Sequence, residues 1–299
     1  MKTLIVDIKR NALDDGPGIR TLIFFKGCPL SCVWCQNPET KKAGQELSFT
    51  KEDCSECKIC MSHCEKGAIN FSNQYRIDRD ICDLCGKCIE VCPNQAYKYV
   101  GKEYDIKELA ELILRDKVFY DNTGGGVTLS GGEPTFHMEY LNALLKELKN
   151  YGIHVCIETS GYYNNEKFIE LVLPFLDLIY FDLKIYDSNL HEKYCKVPNQ
   201  LILSNFEHLI KNESIELLPR IPLIPEITLK EENLRSWVQY FKSLNIDKVW
   251  LLPYNPLWLS KSEKIGLETE YKHSEWLTID TKRKIKSLFR ENNIKINDF

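Results

Sequence analysis

Eleven of the 13 cysteines fall between Cys28 and Cys92, in three groups of fixed spacing. Cys28, Cys32 and Cys35 form C-x3-C-x2-C. Cys54, Cys57, Cys60 and Cys64 form C-x2-C-x2-C-x3-C. Cys82, Cys85, Cys88 and Cys92 repeat that pattern 28 residues later, with Ala68 and Ala96 in the same register. Thiols this dense suit metal ligation better than disulfide staples. The repeat is an internal duplication. Each half offers a full set of four ligands, so clusters held there would carry electrons and bind no substrate. Two zinc ribbons would instead show paired C-x2-C halves or histidine ligands. The first group has three thiolates, one short of a saturated cubane [4Fe-4S] cluster, which leaves one iron open to a substrate. Its spacing alone leaves a structural zinc knuckle or a surface cysteine cluster equally open. The neighbours tip the balance to iron and sulfur. Gly27 allows a tight turn against sulfur, Pro29 stiffens the loop, and Trp34 offers a flat face beside the open corner.

The rest of the composition sets bounds. A chain of 299 residues, 43% hydrophobic and 27% charged, can bury a sizeable core as one large domain with an insert or as two domains. A net charge of -4 without a long Lys/Arg block argues against a generic nucleic-acid partner. No apolar run reaches membrane-spanning length; Leu171–Leu183 is interrupted by Asp177 and Asp182. The start, Met1 to Asp7, is too short and too soon acidic for a secretory signal, so a cytoplasmic location is expected. Cys156 and Cys195 stand apart and read as buried small hydrophobes. So many clustered thiols imply an oxygen-poor setting.

Periodicity gives an extended piece over Thr3–Arg10 and a buried strand over Thr21–Phe25 that delivers the Cys28 loop at its C-terminal end. Asp105 and Glu108 read as an N-cap with its reciprocal acid, opening one helix to about Tyr120. Strands follow at Gly126–Ser130, Ile153–Glu158, Leu178–Leu183, Ile215–Ile221 and Lys248–Leu252. Helices are expected between them, including Tyr140–Tyr151 and Leu229–Leu244, then Asp280–Asn292 and a closing strand over Ile294–Asn297. Six strand–helix units make an α/β chain with a parallel sheet and right-handed crossovers. Periodicity leaves a barrel and a doubly wound sheet equally possible. The run Gly124 to Pro134 is a glycine-rich turn able to present backbone groups to a ligand. It lacks the Lys-Ser/Thr of a phosphate loop, and a tight turn before a helix is its alternative.

At Gly27–Cys35 the sequence resembles the radical S-adenosylmethionine (SAM) superfamily. The longer run from Asp15-Gly16-Pro17-Gly18-Ile19-Arg20 through Cys35-Gln36-Asn37-Pro38-Glu39 resembles its glycyl-radical-enzyme activating family. The duplicated cysteines resemble bacterial two-cluster ferredoxins, in which the fourth Cys of each run crosses to the other cluster. That likeness groups Cys54, Cys57, Cys60 and Cys92 on one cubane, and Cys82, Cys85, Cys88 and Cys64 on the other. The implied fold is an incomplete (β/α)6 barrel over residues 1–46 and 102–299, interrupted by a ferredoxin-like 2[4Fe-4S] insert over 47–101.

The resemblance also assigns roles. Cys28, Cys32 and Cys35 would hold the catalytic cluster, bringing the total to three [4Fe-4S] clusters. SAM would lie against Trp34, Cys35 and Gln36, with Gly131, Gly132 and Glu133 at its ammonium group and Arg220 at its carboxylate. Asp182, Leu183 and Lys184 match the D-x-K element near SAM. Glu158, Thr159 and Asp182 would hold a monovalent cation, and Asp15 would contact the partner's peptide. Asn255 stands where the family usually has histidine, and Trp258 where glycine is usual. Asn255 could bond a ribose or adenine group but cannot titrate as histidine does. The implied activity is reductive cleavage of SAM to a radical that takes hydrogen from a backbone glycine of a partner enzyme. Electrons would come from a flavodoxin or ferredoxin. The alternatives are a radical SAM enzyme acting on another peptide or small molecule, and a ferredoxin-type electron carrier.

Overall fold

The computed structural model describes residues 1–212 and 214–299. Its eleven strands are β1 (Lys2–Ala12), β2 (Arg20–Phe25), β3 (Glu46–Phe49), β4 (Tyr97–Val100), β5 (Lys102–Asp105), β6 (Gly126–Gly131), β7 (His154–Thr159), β8 (Leu178–Asp182), β9 (Glu216–Leu223), β10 (Lys248–Pro253) and β11 (Lys295–Ile296). Nine form one sheet in the order β11-β10-β9-β8-β7-β6-β2-β1-β5. The six strands from β2 to β10 are parallel and run in chain order. A doubly wound sheet reverses its order at a switch point. This run has no reversal, so the barrel-type alternative holds, and the sheet stays open because its two ends are not paired. The sheet is not wholly parallel: β1, longer than expected, pairs antiparallel with both β2 and β5.

Along the six parallel strands the even-numbered residues share one face and the odd-numbered ones the other. Odd positions such as Ile23, Leu129, Ile157, Phe181, Ile221 and Leu251 pack against the helices in the main core. Met138–Asn150 contributes Leu141, Leu144, Leu145 and Leu148 to that core, and Glu231–Ser243 contributes Leu234, Trp237, Val238 and Phe241. Even positions Cys156, Leu178, Tyr180 and Leu218 fill the lower part of the inner face. Higher up, the inner residues turn polar.

The helix expected from Asp105 to about Tyr120 is two helices, Ile106–Leu114 and Lys117–Thr123. Asp105 caps the first as expected, accepting from the Glu108 amide at 2.9 Å. The break falls at Asp116, 1% exposed, whose carboxylate is drawn inward to pair with Arg10 and to accept from the Thr21 hydroxyl at 2.9 Å.

β3 and β4 pair only with each other and enclose the two cysteine runs. The duplication is written into the backbone. Left-handed residues recur at Glu56 and Leu84, at Lys58 and Gly86, and at Gly67 and Gln95, each pair 28 positions apart. The amides of Ala68 and Ala96 donate to the sulfurs of Cys64 and Cys92 at 3.2 and 3.3 Å. Among the described residues no helix is long and apolar enough to cross a membrane.

Candidate active site

The C-terminal ends of the parallel strands surround a cavity of about 280 Å³. The cysteine loop after β2 forms one wall. Gly27 there has φ +110°, and any Cβ would lie 2.9 Å from the Phe136 ring. Its amide donates to the Thr40 carbonyl at 2.7 Å, and the Cys28 amide to that of Lys41 at 3.1 Å. The Ser31 and Val33 amides donate to the carbonyls of Cys195 and Tyr194 at 2.9 and 3.0 Å, so the loop is tied at both ends. Lys26, fully buried at the end of β2, donates to the Glu39 carbonyl and to the Glu46 carboxylate, both at 2.8 Å.

Cys28, Cys32, Trp34, Cys35 and Gln36 all reach the cavity, and none of the cysteines is in a disulfide. A hydrogen bond from the Cys195 thiol pulls the Cys32 thiol down to about 7 against its burial, with Lys184 and Lys41 adding to the effect. Burial pushes Cys35 up to about 11 and Cys28 higher still. Cys195 is buried, as the sequence implies, but its contact with the Cys32 thiol has no sequence signal.

The opposite wall is charged. Ser130, Glu158, Asp182 and Arg220 are even-numbered inner residues near the tops of four neighbouring strands. Arg220 Nε donates to Asp182 Oδ1 at 2.8 Å and Nη1 to Glu158 Oε1 at 2.5 Å, with the guanidinium 4.9 Å above the Tyr180 ring. Lys184 lies 3.5 Å from Asp182 Oδ2. Burial disfavours both cations, but Asp182, with Glu158 for Arg220 and the thiols for Lys184, outweighs it, so each is held above its ordinary value. Burial likewise opposes the Asp182 charge, yet Arg220 and Lys184 hold its carboxyl below the usual range.

Asp15 also lines the cavity. Its carbonyl accepts from Thr128 Oγ1 at 2.7 Å. The buried Arg20 holds the same loop, donating to that hydroxyl at 2.6 Å and to the Pro17 carbonyl at 3.1 Å. Burial, then the charge of Glu158, pushes the Asp15 carboxyl up to about 6. The loop also rests on Gly125, where a Cβ would fall 1.9 Å from the Ile19 oxygen. Gly125 and Gly126 therefore serve packing at the foot of β6, while Gly131 and Gly132 at its other end line the cavity. The glycine run divides into two parts with different jobs.

Three expected contacts lie off the wall. Glu133 is fully buried and accepts five hydrogen bonds: from the Thr135 amide and hydroxyl and the Thr159 hydroxyl on one oxygen, and from the Ser160 amide and hydroxyl on the other. It fastens the Gly131-Gly132 turn to the end of β7. Leu183 is an outward position in the main core. Asn255 accepts from the Leu257 amide at 2.9 Å, a local turn before the anchored Trp258, whose indole donates to the Tyr254 hydroxyl. The strand-end residues Ser130, Leu252 and Pro253 also line the cavity; strict alternation along β6 and β10 is the signal for the first two.

The residues suit an iron–sulfur cluster with a polar organic ligand. Three unpaired thiols face the cavity beside Lys184, and Gln36 Nε2 on the wall is a buried donor with no partner among the described residues. An unmet buried donor costs about 1–3 kcal/mol, which a ligand oxygen would recover.

The sequence matches the radical SAM superfamily over residues 73–238 and a 4Fe-4S single cluster domain over residues 14–74. It is 37% identical to the trans-4-hydroxy-L-proline dehydratase activating enzyme of Clostridioides difficile, over 98% of both chains. It is 36% identical to the 4-hydroxyphenylacetate decarboxylase activating enzyme of Clostridium scatologenes, over 98% of this chain and 96% of that one. In fold it is similar to a radical SAM methyltransferase from Sphaerobacter thermophilus, with a TM-score of 0.55 at 12% identity, covering 99% of this chain and 76% of that chain. Cavity, thiols and full-length relatives agree: the chain belongs to the radical SAM superfamily, within its glycyl-radical-enzyme activating family.

Proposed function

We propose that the protein activates a glycyl radical enzyme, with SAM in the cavity above Cys28, Cys32 and Cys35. The carrying observation is that one cavity gathers these three thiols, the orphan donor of Gln36, the Glu158–Arg220–Asp182–Lys184 wall and Asp15. When bound, the cluster supplies one electron that splits SAM into methionine and a 5′-deoxyadenosyl radical, which takes a hydrogen atom from a glycine of the partner. The chain's own residues orient and shield. Lys184 keeps a fixed positive charge beside the thiols. Arg220 has its Nη2 free of protein hydrogen bonds among the described residues, a donor available to a carboxylate. Glu158, Thr159 and Asp182 line the cavity together, where a monovalent cation would find oxygen ligands. Trp34, packed with Tyr254 and Trp258, stiffens the wall where adenine would lie. Asp15, on the loop pinned by Arg20, would meet the partner's peptide.

The segment between β3 and β4 forms a two-cluster, ferredoxin-like insert over 47–101, giving three clusters in all. Cys54, Cys60, Cys64, Cys82, Cys88 and Cys92 pack into one apolar cluster, an arrangement compatible with the crossed grouping of Cys54, Cys57, Cys60 and Cys92. The insert relays electrons from a flavodoxin or ferredoxin. Its presence favours a partner other than pyruvate formate-lyase, in keeping with relatives that activate a dehydratase and a decarboxylase. Anaerobic reconstitution, reduction and addition of SAM should release 5′-deoxyadenosine, and a carbon-centred radical should appear only with a glycyl radical partner. Absence of 5′-deoxyadenosine from fully iron-loaded protein would refute the proposal.

A further inference from the structure

The two halves of the insert are copies, yet they are unequal where the insert meets the barrel. Arg79 stands three residues before Cys82; one repeat earlier the same position is Lys51, which is exposed. Arg79 bridges the seam. Its guanidinium donates to the Leu47 carbonyl at 3.2 Å and to the Lys264 carbonyl of the barrel at 3.3 Å, and Gly266 beside it has room for no Cβ, which would fall 2.1 Å from Nη1. Its Nε is buried with no partner among the described residues. Arg79, Cys82 and Leu84 share a cavity of about 190 Å³ with Lys42, Gly44 and Gln45. Those last three follow directly on Lys41, whose carbonyl accepts from the Cys28 amide at 3.1 Å. A short run of chain therefore joins the site loop to Cys82.

Resting on the reading that the insert holds two clusters, we propose that the cluster held by Cys82, Cys85, Cys88 and Cys64 is the one next to the site cluster, and that Arg79 sets its electron affinity. One electron leaves this cluster and reduces the site cluster, and the external flavodoxin or ferredoxin restores it. A guanidinium lining the same cavity as Cys82 would favour the reduced, more negative form of a cluster held there, and the unmet Nε–H would be available to its sulfur. Burial weighs against the Arg79 charge, while Glu46 and then Cys82 favour it.

The test uses the full chain, reconstituted without oxygen. Iron analysis comes first: about twelve irons support three cubanes, whereas about four would overturn the two-cluster reading independently of Arg79. Potentiometric titration followed by electron paramagnetic resonance then compares wild type with Arg79→Gln and Arg79→Lys. Losing one charge at close range should move one cluster about tenfold toward oxidation, ~59 mV for a one-electron couple, and Arg79→Lys should restore most of it. The shift should persist in a Cys57→Ser background and vanish in Cys85→Ser. Spin coupling between the insert and the site cluster, readable without any Arg79 variant, should follow the same pattern. Unmoved potentials in iron-loaded Arg79→Gln, or coupling that survives Cys85→Ser and vanishes in Cys57→Ser, would overturn the proposal.

Discussion

Replacing Glu133 by glutamine distinguishes a residue that fastens the site from one that touches the ligand. All five partners of its carboxylate are donors: the Thr135 amide and hydroxyl, the Thr159 hydroxyl, and the Ser160 amide and hydroxyl. If the amide oxygen keeps the Thr135 and Thr159 side, the new NH2 faces the Ser160 amide, which donates at 2.7 Å in the parent. The hydroxyl can rotate to accept; the backbone N–H cannot, and one unmet buried donor costs about 1–3 kcal/mol. Loss of charge weakens each remaining bond, by roughly half of its 1.5–3 kcal/mol. Burying a neutral amide in place of a carboxylate offsets part of this. A net loss of about 2–3 kcal/mol is expected, lowering Tm by roughly 5–10 °C at 2–4 °C per kcal/mol. Anaerobic thermal melts followed by circular dichroism measure it, with SAM affinity determined in parallel. An unchanged Tm with SAM binding lost would refute the fastening role and restore the ammonium contact implied by the resemblance.

Other substitutions probe the remaining walls. Arg220→Met leaves the partly buried Glu158 without its cation and Asp182 with Lys184 alone, and should cost about 2–4 kcal/mol in urea unfolding while abolishing SAM binding by calorimetry. Asp15 has a folded pKa above its unfolded value, so the folded state binds the extra proton and stability falls as pH rises through about 6. Between pH 5 and 7 the Tm of wild type should therefore drop more than that of Asp15→Asn, and parallel profiles would count against the raised carboxyl. At the foot of β6, Gly125→Ala should fail to give folded protein, because its Cβ meets the Ile19 oxygen at 1.9 Å, whereas Gly124→Ala, with φ +67° and open space around it, should cost only about 1 kcal/mol by chemical unfolding.

What could be read from the sequence follows the range of the interactions involved. Strand ends were legible because apolar runs stop where polar side chains begin, which located Glu158, Asp182 and Arg220. The cysteine spacing and its 28-residue echo are local patterns, and the left-handed positions repeat with them. Strand order was open to periodicity because a barrel and a doubly wound sheet share the same alternation. The direction of Glu133 was hidden because the turn at Gly131 and Gly132 aims the next side chain inward. The break at Asp116 depended on Arg10 and Thr21 across the sheet, and the thiol contact of Cys195 with Cys32 on two distant loops meeting. None of these leaves a mark in the neighbouring residues.

The buried Lys26–Glu46 pair, joining the last residue before the cysteine loop to the first residue of β3, has a bearing on modularity. Cassette exchange between relatives would split this couple if the junction were cut before Glu46 and the incoming segment brought another side chain there. A stranded ammonium beneath Cys28 would then disturb the site itself. Successful chimaeras should take both members from one parent, so the cysteine-rich segment is inherited as a unit with the strand end that carries Lys26.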